Sequence, residues 1–415
     1  EFTSMPHLAI NSGPKVREMP FPSWPVFGEP ERNAVSDVPE GGRWGGVEQR
    51  LVSQIEQQFA AFYDCDYGVS CKNSTHSLKI ALQSLGVVQG DEVIMSPYAS
   101  VTSATAVLLN NAIPIFVDID PETYLIDPLK IESAITPRTK AIMAVHIAGV
   151  PCDMDTISHI AKKHGLRVIE DCAQALGAEW AGQRVGSFGD VGVFSFLSSK
   201  TLTCGESGMV VTNDQEISDL CKSIHDAGCV RGGRRQEHSG IGSDYCLSES
   251  QAALLLAQMS SLPEQMLTRE ANADYLKSKL EQIVGINTQR IDPKVTSHGY
   301  YLFVMRYNPQ AFGGVSRDRF VQALCAEGIP CSKGYFPLYK EAVFATITGD
   351  NVPDYSNLSL PVCENASSNE AVWITQGMLM GTRTDMDAIV EAIAKLQTYK
   401  DELAETEAKT SAGVG

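Results

Sequence analysis

Three things are missing from this chain of 415 residues: an excess of positive charge, a long apolar run, and cysteines at metal-binding spacing. With 33 Lys+Arg against 50 Asp+Glu, the formal net charge is −17. Nothing supplies the positive field that a nucleic-acid backbone needs, so nucleic acid is excluded as a partner. No stretch is long and apolar enough to span a bilayer, and no charged-then-apolar leader is seen, so no membrane role is expected. The eleven cysteines are odd in number and scattered, and none forms Cys-x-x-Cys. The closest pairs, Cys65/Cys71 and Cys325/Cys331, lack zinc spacing, so no metal site is expected. Free thiols suit a reducing, cytoplasmic compartment. Glu1-Phe2-Thr3-Ser4 ahead of Met5 reads as a cloning remnant.

What is present is ordinary for a globular chain: 43% hydrophobic and 20% charged residues. The length allows one large domain with a smaller companion. Val47, Leu51, Ile55, Phe59 and Phe62 recur on one helical face. Short apolar runs follow at Gly68–Cys71, Glu92–Met95, Ile113–Val117, Ala141–Val145, Arg167–Glu170, Val191–Phe196 and Gly208–Val211. These seven candidate strands are continuous rather than alternating, as in a sheet buried on both faces, and most gaps admit a crossover helix. The last two lie too close for a long helix and are expected to pair differently. Ser248 and Gln251 form a capping box that opens a further helix. After about residue 285 the texture becomes α+β, with a strand at Tyr300–Met305, a helix capped by Ser316, and a closing helix bearing Met386, Ile389, Ile393 and Leu396. The expected division is an arm (1–45), a large α/β domain (46–275), a small α+β domain (276–400) and a frayed tail (401–415).

In doubly wound sheets ligands gather at the carboxyl ends of strands, where helix N-termini converge. Asp171 falls at such an end, Asn73-Ser74-Thr75 lie between a strand and a helix, and Ser195 and Lys200 close another strand. Hydroxyls opening a helix suit an anion, although an N-cap serves fold alone. Taken singly, the Asp and the Lys also read as a cap and a surface charge.

Together the motifs are more specific. Val168-Ile169-Glu170-Asp171-Cys172-Ala173-Gln174, Gly186-Ser187-Phe188-Gly189-Asp190, Phe194-Ser195-Phe196-x-x-x-Lys200 and Gly205-Glu206-x-Gly208 occur in this order. The chain resembles the DegT/DnrJ/EryC1/StrS family from about Leu8 to Leu396. That resemblance implies pyridoxal 5′-phosphate (PLP), a fold-type I architecture with a mixed, mainly parallel seven-stranded sheet, and transfer of an amine to a keto-sugar or keto-cyclitol. It further implies that Lys200 forms the cofactor aldimine and moves protons, that Asp171 pairs with the pyridine nitrogen, and that Gln174 meets the phenolic oxygen. Ser74, Thr75 and Ser195 would hold the phosphate. The stretches Leu8–Pro14, Pro22–Phe27, His146–Gly149, Gly334–Tyr339 and Ala371–Trp373 resemble the glutamine:scyllo-inosose branch. The implied partners are L-glutamine or L-glutamate as donor and a cyclitol ketone as acceptor, in ping-pong order. A homodimer with shared sites is implied too.

Several residues depart from the family pattern. Ser74 and Ser207 replace glycines, and Ser100 stands where an aromatic ring stacks on the cofactor, leaving Tyr98 as the candidate substitute. Asp244 replaces an asparagine that reaches the partner's phosphate, and Cys229 and Cys246 replace arginines. These changes admit either a shifted substrate or a drifted, non-catalytic binding protein on the same scaffold. Retention of Lys200 and Asp171 favours the first.

Overall fold

The computed structural model describes residues 7–42, 44, 49–229 and 240–412. Val47, from the first predicted helix, lies outside them. The arm ends in α1 (Glu29–Glu40), followed by α2 (Arg50–Phe62), which presents Val52, Ile55 and Phe59 to the core. The large sheet region then runs β1 (Tyr67–Cys71), α3 (Ser74–Ser84), β2 (Glu92–Met95), α4 (Val101–Leu108), β3 (Ile113–Phe116), α5 (Pro128–Ile131) and β4 (Thr139–Val145). It continues through α6 (Met154–His164), β5 (Arg167–Asp171), a small hairpin of β6 (Glu179–Trp180) and β7 (Gln183–Arg184), β8 (Val191–Ser195), β9 (Gly208–Thr212) and α7 (Gln215–His225).

All seven expected strands join one sheet in the order β1-β9-β8-β5-β4-β2-β3. The five strands β3, β2, β4, β5 and β8 are parallel, while β9 runs antiparallel to β8 and to β1. The short link between β8 and β9 forces that reversal, because a parallel pair needs a crossover. Side chains alternate between two buried faces. Val191, Val193 and Val210 pack with the α3 and α6 side, whereas Phe194, Met209 and Val211 pack with Phe59 of α2 and Leu255 further along the chain. Burial on both faces explains why the strands read as continuous apolar runs.

A long helix, α8 (Glu249–Leu280), opens on the Ser248/Gln251 capping box and crosses from one core to another. Leu255 and Leu262 belong to the α2 side of the large sheet, while Ala273, Leu276 and Leu280 belong to the C-terminal core. The expected boundary at 275/276 therefore falls inside a continuous helix. Beyond it come β10 (Ile286–Thr288), β11 (Val295–Ser297), β12 (Leu302–Tyr307), α9 (Arg317–Ala326), β13 (Ser332–Lys333), α10 (Pro361–Asn365), β14 (Ala371–Thr375) and α11 (Arg383–Thr398). Four of these strands form an antiparallel sheet, β10-β12-β14-β13, and β11 adds to the β6–β7 hairpin. The β12 strand begins at Leu302 rather than Tyr300, because Tyr300 has φ +40, incompatible with extended backbone.

Where the tail is described, over residues 401–412, it is helical rather than frayed as expected. It forms α12 (Lys400–Ala412), buries Leu403, and its Glu402 accepts the backbone N–H groups of His7 and Leu8. Leu8 is itself buried in the C-terminal core, so the start of the described arm and α12 hold each other down.

Candidate active site

The carboxyl edge of the large sheet collects most of the residues singled out from sequence. Ser195 ends β8, and Lys200 follows in a turn whose carbonyls are tied from outside. Trp24 Nε1 donates to both the Ser198 and Lys200 carbonyls at 3.1 Å, and Gln376 Nε2 reaches the Ser199 carbonyl at 3.4 Å. The Arg269 guanidinium lies over the Trp24 ring at 5.1 Å. The arm and the small sheet thus fix the turn that presents Lys200.

Lys200 is only 8% exposed. Its Nζ sits 4.0 Å from the centre of the Tyr301 ring, and no ion pair to it forms among the described residues. Burial pulls its pKa below the ordinary lysine value, with Tyr301 and Asp171 opposing the shift. The positive φ of Tyr300 turns the chain so that Tyr301 faces Lys200, and the Tyr301 hydroxyl meets Ser199 Oγ at 3.2 Å.

Asp171 is the last residue of β5 and is buried. Its Oδ2 accepts from Ser103 Oγ at 2.6 Å, and its Oδ1 accepts from the Ala173 N–H at 3.1 Å. Ser103 lies on α4, three residues after Ser100, which caps that helix through Thr102. Gln174 is held at both ends: Oε1 accepts from the Ala148 N–H and Nε2 donates to the Tyr335 hydroxyl, each at 2.8 Å. Ala148 has φ +61, and the backbone there is bent to aim that N–H.

Ser74 and Thr75 open α3, with Asn73 as its cap. The Asn73 carboxamide takes the His76 N–H, and the N–H groups of Ser74 and Thr75 form no hydrogen bond among the described residues. Gly208, on β9, lets this helix end reach the sheet. A Cβ there would lie 2.7 Å from the Asn73 carbonyl carbon and would overlap Ser77 Oγ. Register places Cys71, Gly208 and Ser195 side by side, so the α3 terminus and Ser195 border the same edge.

Two expected residues lie elsewhere. Tyr98 is fully buried, with ring edges of Tyr124, Tyr335 and Trp373 around it at 5.4, 5.8 and 5.9 Å. It offers no open ring face to a ligand, so the idea that it replaces the missing stacking ring fails on packing. Asp244 is exposed; its Oδ1 accepts the Cys246 N–H, and Lys72 donates to its backbone carbonyl. Neighbouring Tyr245 stacks on His76 of α3 at 4.3 Å. Cys246 Sγ lies 3.7 Å from His225 Nε2; His225 Nδ1 faces the Lys222 carbonyl, so Nε2 is the free acceptor for the thiol.

Sequence reasoning missed Ser103 and Tyr301, and quoted Tyr335 only as part of a branch motif. No spacing rule links Ser103 to Asp171, since the contact depends on α4 crossing the end of β5. A second polar cluster lies one residue back on the strand. His146, Glu170 and Cys172 have ligand atoms within 4.8 Å, the one such grouping found among the described residues. Yet His146 Nδ1 accepts the Cys152 N–H while Nε2 faces Glu170 at 3.1 Å, and burial raises the Cys172 thiol. Glu170 also accepts the N–H groups of Gly186, Phe188 and Gly189 at 2.8 Å. Every lone pair of the imidazole is committed, so this is a structural network and not a metal centre.

The edge residues fit PLP on chemical grounds: a buried amine in no ion pair among the described residues, a buried carboxyl oriented by a hydroxyl, and a helix N-terminus with free donors for an anion. Among the described residues, no helix is long and apolar enough to cross a membrane. Comparison with known proteins agrees with the geometry. A putative L-glutamine:3-amino-2,3-dideoxy-scyllo-inosose aminotransferase of Streptoalloteichus tenebrarius is 38% identical over 412 residues, covering 95% of this chain and 99% of its own length. The L-glutamine:2-deoxy-scyllo-inosose aminotransferase of the same organism is 37% identical, covering 96% of this chain and 99% of its own. The crystal structure of 3-amino-5-hydroxybenzoic acid synthase superposes with a TM-score of 0.84 at 32% identity, covering 91% of this chain and 98% of the other. The model of one family matches residues 26–394, and this chain belongs to it: the DegT/DnrJ/EryC1/StrS aminotransferase family.

Proposed function

We propose that this PLP-dependent aminotransferase takes the amine of L-glutamine or L-glutamate and delivers it to a ketone of a cyclitol, sugar or related small molecule. Secondary-metabolite or amino-sugar biosynthesis in the cytoplasm is the setting such a reaction fits. The acceptor class is supported by the names of the two relatives described above, both of which span nearly the whole chain. The mechanism is supported by one observation above the others: the Lys200 amine is buried against the Tyr301 ring, and burial lowers its pKa.

When bound, PLP supplies an electron sink for negative charge developing at the substrate carbon. Lys200 would hold the cofactor through its amine and would move the proton at that carbon, a role its lowered pKa suits. Asp171 holds a proton on the ring nitrogen, and Ser103 keeps the carboxyl oriented. Gln174, fixed by Ala148 and Tyr335, faces the phenolic oxygen. Ser74, Thr75 and Ser195 donate to the phosphate, supported by the free α3 N–H groups. Ser100 caps α4, and Tyr98 braces Tyr335 from behind. In a homodimer, exposed Asp244 would face the partner's phosphate. The arm (1–45) and small domain (276–400) steady the Lys200 turn of the large domain through Trp24 and Gln376.

The test has two halves. Protein loaded with PLP should lose its visible absorption on adding L-glutamine or L-glutamate alone. A panel of ketones should then be scored for restoring it. Recovery with a keto-cyclitol is the expected result; no bleaching with either donor rejects the reading.

A further inference from the structure

Most of the eleven cysteines are buried, with thiols that burial pushes up, as at Cys65, Cys204, Cys221 and Cys363. Cys325 and Cys331 differ. Their sulfurs are 3.6 Å apart, Cys325 is exposed, and Cys331 is partly accessible. The pair brackets the turn between α9 and β13, and that turn is held rigidly. The Gly328 and Ile329 N–H groups donate to the Cys325 and Leu324 carbonyls. Gly328 has φ +93 and lies against the Arg17 carbonyl so closely that a Cβ would overlap it. Arg17 N–H in turn donates to the Glu327 carbonyl at 3.0 Å. Little conformational freedom remains to be lost when the two sulfurs join.

Chain direction gives the pair its interest. Cys331 leads directly into β13, which pairs with β14 through Ser332 and Lys333, and then into Tyr335, whose hydroxyl orients Gln174. We propose that Cys325 and Cys331 are a redox-active dithiol that a small disulfide such as glutathione disulfide oxidises to an intramolecular bridge, and that β13 carries the resulting shift to Tyr335 at the active site.

The chemistry balances with that oxidant alone. Cys325, as thiolate, attacks one sulfur of glutathione disulfide and expels the first glutathione thiolate, leaving a mixed disulfide. Cys331 loses its proton and attacks the Cys325 sulfur, expelling the second. Two protein thiols are oxidised and one glutathione disulfide is reduced to two glutathiones. Cys325 suits the attacking role, because the Cys331 thiol beside it lowers its pKa below the ordinary value. The sulfurs must approach from 3.6 Å to a bond of about 2.05 Å, a displacement large enough to matter at a site where misplacement of about 1 Å is costly.

The test uses the full-length protein equilibrated with glutathione disulfide, alkylated and mapped without reduction. The expected product has lost about two mass units and two titratable thiols, with a Cys325–Cys331 link. Cys331→Ser should instead trap a stable glutathione adduct of about 305 mass units on Cys325, because nothing resolves it. A glutathione adduct persisting on the unsubstituted protein, or a bridge between other cysteines, overturns the site. These readouts need no turnover and stand apart from the proposed reaction. The coupling is read by the rate of bleaching with L-glutamine. It should change at least about twofold on oxidation, recover with dithiothreitol, and stay constant in Cys325→Ser. A bridged protein with an unchanged rate overturns the link to Tyr335.

Discussion

Glu170 and Asp171 are adjacent carboxyl groups on one strand, and the pleat sends them to opposite faces. Glu170 is closed on all sides: three backbone N–H groups from the Gly186–Gly189 turn and the His146 imidazole use its oxygens. Asp171 takes only one hydroxyl and one N–H among the described residues, and its charge opposes the lowering of the Lys200 pKa. Equal chemistry at consecutive positions therefore serves two ends, one holding the loop that follows β7 and one left with capacity at the sheet's carboxyl edge. Saturation of the hydrogen-bonding capacity, not burial, separates them.

Substitutions should split the two along that line. The largest expected effect is on turnover. Asp171→Asn should reduce kcat/KM on the order of 10³-fold while leaving the urea unfolding midpoint nearly unchanged. Glu170→Ala should do the reverse, costing about 3–5 kcal/mol of stability by orphaning three N–H groups and an imidazole, with the folded fraction still active. If both substitutions lowered stability equally, the contrast would collapse.

A buried imidazole sharpens the same distinction through pH. Burial holds His298 down to about 3, against 6.5 for an ordinary histidine. Between those values the unfolded chain binds a proton that the folded chain does not, so stability falls as pH drops from 6.5 towards 3. Urea midpoints compared at pH 7 and about pH 4.5 should show the loss, and His298→Gln should show less of it. The smallest effect belongs to Asp244, which is exposed and well solvated. Asp244→Asn should tighten PLP by a few-fold, about 1 kcal/mol or less, in a fluorescence titration. Unchanged affinity there would remove the proposed repulsion of the partner's phosphate.

Much of the large sheet was legible because its signal is local. Continuous apolar runs such as Ala141–Val145 mark strands buried on both faces, and the close spacing of the last two runs anticipated that they pair differently, which they do by running antiparallel. The placement of Asp171 and Ser195 at strand ends, with Lys200 in the turn after β8, followed from the same pattern. What escaped depends on contacts between distant segments. Ser103 reaches Asp171 across 68 positions, and Trp24 reaches the Lys200 carbonyl across 176. The Tyr300–Met305 run reads as strand by composition, yet the first residue turns into positive φ to aim Tyr301. The tail reads as frayed from its polar composition, and it is held as a helix by Leu403 and by Glu402 against the start of the described arm.

The most direct measurement is borohydride reduction of the PLP-loaded protein, followed by peptide mapping. The cofactor should be fixed on one peptide, at Lys200, and the Lys200→Ala protein should stay colourless and inactive with added PLP. Label on another lysine, or undiminished turnover by Lys200→Ala, would contradict the central assignment.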